Sequence, residues 1–329
     1  MTMGTARALL ATLVMTGLGG CAGLEAPSDT VPTPDAGPLT MQCGTLSAAF
    51  ENRGDQPVLA VAGERYPLTP VRSASGARYE AVGDSGTTFW NKGDRARLTL
   101  NGEPRPVCLS PGAVARPFEA SGNEPFWRVE LDDGTLTLER PGKASVTGPF
   151  RWHSQSASVS RGTVSLNGGE AEVTVRHEAC QDSMSGMPHP RQVAIAWQGR
   201  TLSGCGGDPA RLLRGGTWIV DDLPGRGIID GSRMSVTFLE DGRLTGMASC
   251  NRYMGVYRLT GEGLTIRRPA STLKACAPAL MDQEQRFLER LRAVQHFRLA
   301  KGGLLELVGA DGTLVRLHRQ SVPSVYTDG

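Results

Sequence analysis

Seven cysteines constrain this 329-residue chain more than any other feature. Cys21 stands alone at the end of a short apolar N-terminal stretch. The other six follow as Cys43 and Cys108, Cys180 and Cys205, then Cys250 and Cys276. Six cysteines allow many pairings, so order alone does not prove one set. Each consecutive pair, however, brackets one unit of hydrophobic patterning. The expected bridges are therefore Cys43–Cys108, Cys180–Cys205 and Cys250–Cys276, one in each of three small domains. Paired cysteines point to an oxidising compartment.

The N-terminus reads as an export signal. Arg7 supplies a positive start and Ala8 to Leu18 an apolar core. That core is far shorter than the ~20 residues a membrane-spanning helix needs, so it is a targeting segment outside the fold. Leu18-Gly19-Gly20-Cys21 resembles the lipobox of bacterial lipoproteins. The resemblance implies lipidation of Cys21, and Ala22 after it implies the outer membrane, facing the periplasm. The alternative is an ordinary secretory signal with a chance cysteine. Glu25 to Leu39 carries four prolines and almost no large apolar residue, which makes an extended tether.

Formal net charge is only +2, and no Lys/Arg block is present, which argues against a nucleic-acid partner. Aromatic content is 5%, and 42 glycines recur in DG, NG and GG pairs, the pattern of short strands and tight turns. The expected fold is mainly β. It comprises three small antiparallel β-barrel-like domains in tandem, the last with one packed α-helix. The boundaries expected are 1–20 for the signal, 21–39 for anchor and linker, 40–110, a linker at 111–117, 118–213, 214–319, and a tail at 320–329.

In residues 40–110, Val58 to Ala62 is a compact apolar run, and Ala96 to Leu100 alternates before Asn101-Gly102. A Cys43–Cys108 bridge would join first and last strands and close a barrel. Two segments stand out: Ser73-Ala74-Ser75-Gly76-Ala77-Arg78-Tyr79 and Phe89-Trp90-Asn91-Lys92-Gly93-Asp94. Together, inside a cysteine-bracketed unit, they resemble the membrane-bound inhibitors of c-type lysozyme, the MliC family. The resemblance implies a lysozyme-binding set of Ser73, Ser75, Gly76, Tyr79, Lys92 and Gly93, with Tyr79 supporting the loop. The chemistry is coherent. A lysozyme cleft pairs a protonated Glu with an ionised Asp. A plug needs hydroxyls that donate and accept, and a cation for the Asp. Charges in 40–110 are nearly balanced, so affinity would come from inserted loops rather than long-range steering. Gly83-Asp84-Ser85-Gly86 mimics a serine-protease string, but residues 40–110 contain no His for a triad.

Residues 118–213 open on Asn123-Glu124-Pro125-Phe126-Trp127. Trp127, Val129 and Leu131 alternate, Asp132-Asp133-Gly134 turns, and Leu136 and Leu138 alternate back. This unit resembles an uncharacterised domain of envelope lipoproteins with a GNEPFW start, a C-x-D-x-M-S-G loop (Cys180 to Gly186) and a GCGG end. His177, Cys180, Met184, Met187 and His189 fall within thirteen residues. Met and His suit copper, and His177, Met184, Met187 and His189 form a candidate copper loop. The competing reading is a disulfide-fixed loop with Met as packing.

In 214–319, Gly216 to Val220 starts a strand, and Ser249-Cys250-Asn251-Arg252-Tyr253 precedes Thr272-Leu273-Lys274-Ala275-Cys276. This order resembles the META domain, also called HslJ-like, which implies an envelope-stress role without a known reaction. Pro278 to Val294 has helical spacing, with Met281, Glu284, Phe287, Leu288, Leu291 and Val294 on one stripe. Pro278 suits the first turn. Cys250 and Cys276 lack a CxxC spacing, which favours a structural bridge over a redox pair.

The function expected is inhibition of c-type lysozyme by an outer-membrane lipoprotein. Its partners would be the lysozyme and, through Cys21, the lipid bilayer. The alternative is an envelope-stress or copper-handling lipoprotein. No cofactor motif, HExxH spacing or GxSxG is present, so no enzyme is expected.

Overall fold

The computed structural model describes residues 37–52 and 56–320. The expected signal segment, the Cys21 anchor, nearly all of the linker and the end of the tail lie outside them. No helix among the described residues is long and apolar enough to cross a membrane.

The first sheet runs through β1 (Leu39–Cys43), β2 (Leu46–Glu51), β3 (Val58–Val61), β4 (Glu64–Val71), β5 (Ala77–Ala81), β6 (Asp84–Lys92), β7 (Arg95–Leu100), β8 (Glu103–Pro104) and β9 (Cys108–Leu109). Its order is β6-β5-β4-β3-β2-β1-β9-β7, and β7 also pairs with β6, so eight strands close a ring with β8 appended. Closure rests on the first bridge: Cys43 lies directly opposite Cys108, and the two are disulfide-bonded. The alternation of β7 buries Ala96, Leu98 and Leu100. Its Asn101-Gly102 turn has φ of 52° and 81°, the two left-handed residues that a two-residue hairpin favours.

A second closed barrel follows from β10 (Phe118–Asn123), β11 (Phe126–Asp132), β12 (Thr135–Glu139), β13 (Val146–Gln155), β14 (Val159–Leu166), β15 (Gly169–Arg176), β18 (Arg191–Trp197) and β19 (Arg200–Gly206). A separate two-stranded ribbon, β16 (Cys180–Gln181) with β17 (Pro188–His189), interrupts it. Trp127, Val129 and Leu131 face inward on β11, as their alternation requires. The Cys180–Cys205 bridge ties the ribbon to β19.

The third sheet is β20 (Thr217–Asp222), β21 (Arg233–Phe238), β22 (Arg243–Ser249), β23 (Arg252–Thr260), β24 (Gly263–Ser271), β25 (His296–Leu299), β26 (Leu305–Gly309) and β27 (Gly312–Arg319). It is not sealed by a continuous ladder. Its outer strands are β24 and β25, and Leu264 N donates to Gln295 O at 2.8 Å between them. One helix, α1 (Pro278–Arg292), packs against it with Pro278 in its first turn. Phe287, Leu288 and Leu291 are buried as the spacing requires. Met281 is not: it is 48% exposed, and Gln283 is buried instead. The reason is polar. Gln283 Oε1 accepts from Ile229 N at 2.7 Å, and its Nε2 donates to Ser232 and Ser249 hydroxyls. The third bridge, Cys250–Cys276, sits beside α1. Asn251 does more than turn the chain locally. Its Oδ1 accepts from Lys274 N and Thr272 Oγ1, and its Nδ2 donates to buried Glu284.

Each sheet has its own hydrophobic core, yet the three form one compact unit. Thr45 N and Oγ1 both donate to Arg214 O, at 2.7 and 3.0 Å, and Gly216 N donates to Thr45 Oγ1 at 2.9 Å. Gly44 permits this approach, because a Cβ there would lie 2.2 Å from Arg214 O. Arg243 grips Glu103 with both oxygens at 3.0 Å. Gly112, in the connection between the barrels, accepts from Ser160 Oγ at 2.7 Å.

Candidate functional site

The two singled-out segments of the first barrel are separated by nine residues in sequence and lie side by side in space. Residues 72–76 connect β4 to β5, and Gly93 and Asp94 turn β6 into β7. The β5–β6 ladder aligns Ala77 with Asn91 and Arg78 with Trp90, which brings the loop alongside the end of β6. Gly76 has φ +68°, and a Cβ on it would lie 2.2 Å from Asn91 O and 2.8 Å from Lys92 Cγ. Only glycine tolerates both the conformation and the approach.

Trp90 joins the two segments. Its Nε1 donates to Ser75 O at 2.9 Å, and its ring carries Lys92 Nζ 3.9 Å from the centroid. A cation over an indole face is attracted by the ring quadrupole, and this pair orders the long Lys92 side chain. Trp90 was legible as part of the second motif, but its role was not. The contact to Ser75 arises from pairing between β5 and β6.

The two serines differ. Ser73 Oγ donates to Gly76 O at 2.8 Å, closing the loop on itself. Ser75 is exposed, and among the described residues its hydroxyl has no hydrogen-bond partner. Tyr79 is half-buried against Phe50, with ring centroids 4.9 Å apart, and burial raises its pKa. Its place is beneath the loop. Gly93, at φ +66°, turns the chain immediately after Lys92.

Two acids near the loop are paired. Asp94 faces Arg95 at 3.6 Å and Arg116 at 3.8 Å, and Arg78 pairs with Glu80 at 3.2 Å. Exposed Lys92 makes no ion pair among the described residues. The site therefore offers one hydroxyl and one ammonium on a glycine-thinned edge. Asp84, from the protease-like string, accepts from Gly86 N and shapes a turn.

The candidate copper loop is dispersed. Met187 is 3% exposed and belongs to the core of the third sheet, while Met184 is 72% exposed. His189 Nδ1 lies 3.0 Å from Gly207 O. His177 Nε2 lies 2.8 Å from Ser160 Oγ, and burial, helped by Arg191, lowers its pKa to about 4. The four side chains thus have four different surroundings. The loop is instead held by Asp182, which accepts from Ser185 N and Oγ, Met184 N and Asn123 Nδ2. Burial alone would raise the Asp182 pKa, but these bonds outweigh it and hold it low. Asn123 belongs to the GNEPFW segment, so the first two motifs of the middle unit meet here, and Cys180–Cys205 ties in the third.

Residues 42–105 match the family model for the membrane-bound lysozyme-inhibitor of c-type lysozyme, MliC, and residues 211–322 match the META domain. The chain joins an MliC-like unit to a META-like unit. Neither match includes 106–210. The MliC match spans the loop at 72–76, Trp90 and Lys92 together. It supports a lysozyme-inhibitor-type membrane lipoprotein. MliC is an inhibitor family, and META is not a known enzyme family. No curated protein matches the chain. An NMR structure of a protein from Burkholderia xenovorans is 23% identical, covering 35% of this chain and 89% of its own, with a TM-score of 0.29.

Proposed function

We propose that the MliC-like unit inhibits c-type lysozyme by occluding its active-site cleft, with the chain tethered to the outer membrane through Cys21 and facing the periplasm. One observation carries this reading. Trp90 holds the Ser75 carbonyl on its N–H and the Lys92 ammonium on its face, so loop and cation form one edge. The Ser75 hydroxyl donates or accepts at the cleft's protonated carboxyl, and Lys92 pairs with the ionised one. Such a charge-assisted contact is short and directional, and its Coulombic attraction works against the cost of desolvating both ions. Nothing in this mechanism needs a bond made or broken by this protein, in keeping with a non-enzymatic role.

The test is turnover of a c-type lysozyme on cell-wall substrate with purified protein lacking the acyl chain. Micromolar inhibition is expected, and its absence overturns the reading. Lys92→Ala should weaken inhibition by about tenfold or more, roughly 1.4 kcal/mol, with the melting temperature nearly unchanged. The copper-handling alternative gains no support from four dispersed side chains.

A further inference from the structure

A cavity of about 590 Å³ lies where the three units meet. Gln42 and Gly44 reach it from the first barrel, Arg191 from the second, Arg211 from the connection before β20, and Arg319 from the end of β27. Among its lining residues are three arginines and His177, but no carboxylate.

Two arginines of the neighbouring cavity, by contrast, have acidic partners. The adjoining cavity, about 630 Å³, is also arginine-rich, but Arg116 there faces Asp94 and Arg128 faces Glu119 at 3.0 Å. Arg191, Arg211 and Arg319 have no ion pair among the described residues. Arg191 donates to Pro190 O at 2.8 Å, Arg211 donates to Gln42 O at 3.3 Å, and the Arg319 guanidinium sits 5.5 Å from the Trp218 ring centroid. Arg211 feels Asp208 and Glu240 from the neighbouring cavity. Arg191 feels no acid: burial, then Arg211, lower its pKa to about 10. Arg191 is thus half-buried beside a second guanidinium, in a cavity whose lining holds no carboxylate, an arrangement that an incoming anion would relieve. His177 does not compete, because it stays neutral above about pH 4. Met41, Leu109, Leu212 and Leu299 supply apolar wall beside the guanidinium groups.

We propose that this three-unit junction is a binding site for a small organic anion, a carboxylate or phosphate monoester on a compact apolar body. The geometry favours planar, bidentate recognition by Arg191 and Arg211, with Arg319 closing from the META-like side. Because all three units line the cavity, the ligand would clamp them together and raise the stability of the whole chain.

The experiment is isothermal titration of the full chain with phenyl phosphate, with phenol and inorganic phosphate as controls. The expected result is one-to-one binding of phenyl phosphate that weakens as salt rises, no binding of phenol, and weaker binding of inorganic phosphate. Arg191→Gln and Arg211→Gln should each reduce affinity by about tenfold or more. Arg211 also holds the Gln42 carbonyl, so Arg319→Gln, at an exposed position, serves as the variant that keeps the fold, each variant being checked by thermal melting. Lys92→Ala should bind phenyl phosphate normally, which separates this site from the lysozyme-facing edge. Absence of one-to-one binding, or unchanged affinity in the folded arginine variants, overturns the proposal.

Discussion

Trp90 donates from Nε1 to the carbonyl of Ser75 at 2.9 Å, and this bond fastens the exposed loop to the strand that carries Lys92. Trp90→Phe retains an aromatic face but removes the donor. A single hydrogen bond of this kind contributes about 0.5–1.5 kcal/mol. The variant should stay folded, lose several-fold in lysozyme inhibition, and exchange amide hydrogens faster across 72–76. Inhibition equal to wild type would mean that the loop needs no anchoring.

Ser73 and Ser75 should separate by mechanism. Ser75→Ala removes an exposed hydroxyl with no partner in the described protein, so inhibition should drop while the melting temperature stays within about a degree. Ser73→Ala breaks the bond to Gly76 O, so it should loosen the loop and weaken inhibition through mobility. Equal hydrogen exchange in both variants, alongside unequal inhibition, would reverse these assignments.

The Cys43–Cys108 bridge spans 65 residues and lies across the strand pair that closes the first barrel. Chain entropy puts its stabilisation at about 4 kcal/mol. Replacing both cysteines with serine should lower the melting temperature substantially. It should also weaken the contacts at Thr45 that bind this barrel to Arg214 and Gly216. Calorimetry of the double variant gives the answer, and a melt unchanged within a degree would contradict it.

His177 predicts an acid-side loss of stability. Ser160 Oγ donates to Gly112 O, so its oxygen is left to accept from His177 Nε2–H, which places the proton of the neutral ring on Nε2. The folded pKa is lowered from 6.5 to about 4, chiefly by burial. Between those values the unfolded chain binds the proton and the folded one does not. Stability therefore rises with pH across this window and falls as the medium is acidified. His177→Gln should flatten that dependence in melting curves taken between pH 4 and 6.5. A slope identical to wild type would locate the acid sensitivity elsewhere.

Local patterning made much of this protein legible. Strict alternation in Ala96–Leu100 and Trp127–Leu131 gave inward faces that the barrels use, and Asn101-Gly102 marked a hairpin correctly. The α1 stripe departs from its apolar spacing at one turn. Met281 is apolar, yet Gln283 takes the buried position because three polar partners await it there. The histidines and methionines of the middle loop looked like one cluster because they are close in sequence. Met187 instead turns into a neighbouring unit's core, a destination that no count of residues along the chain reveals.

The sequence by itself marked the three cysteine-bracketed units, many of their strands, the helix α1, and the two segments that meet at Trp90. Those properties depend on side-chain period and turn chemistry within a few residues. Tertiary structure alone decided that Ser75 meets Trp90, that Thr45 locks onto Arg214, and that Arg191 and Arg211 share a cavity without an acid. Thr45 and Arg214 are 169 residues apart, and in every case which faces meet is set by strand register and packing between sheets rather than by local preference.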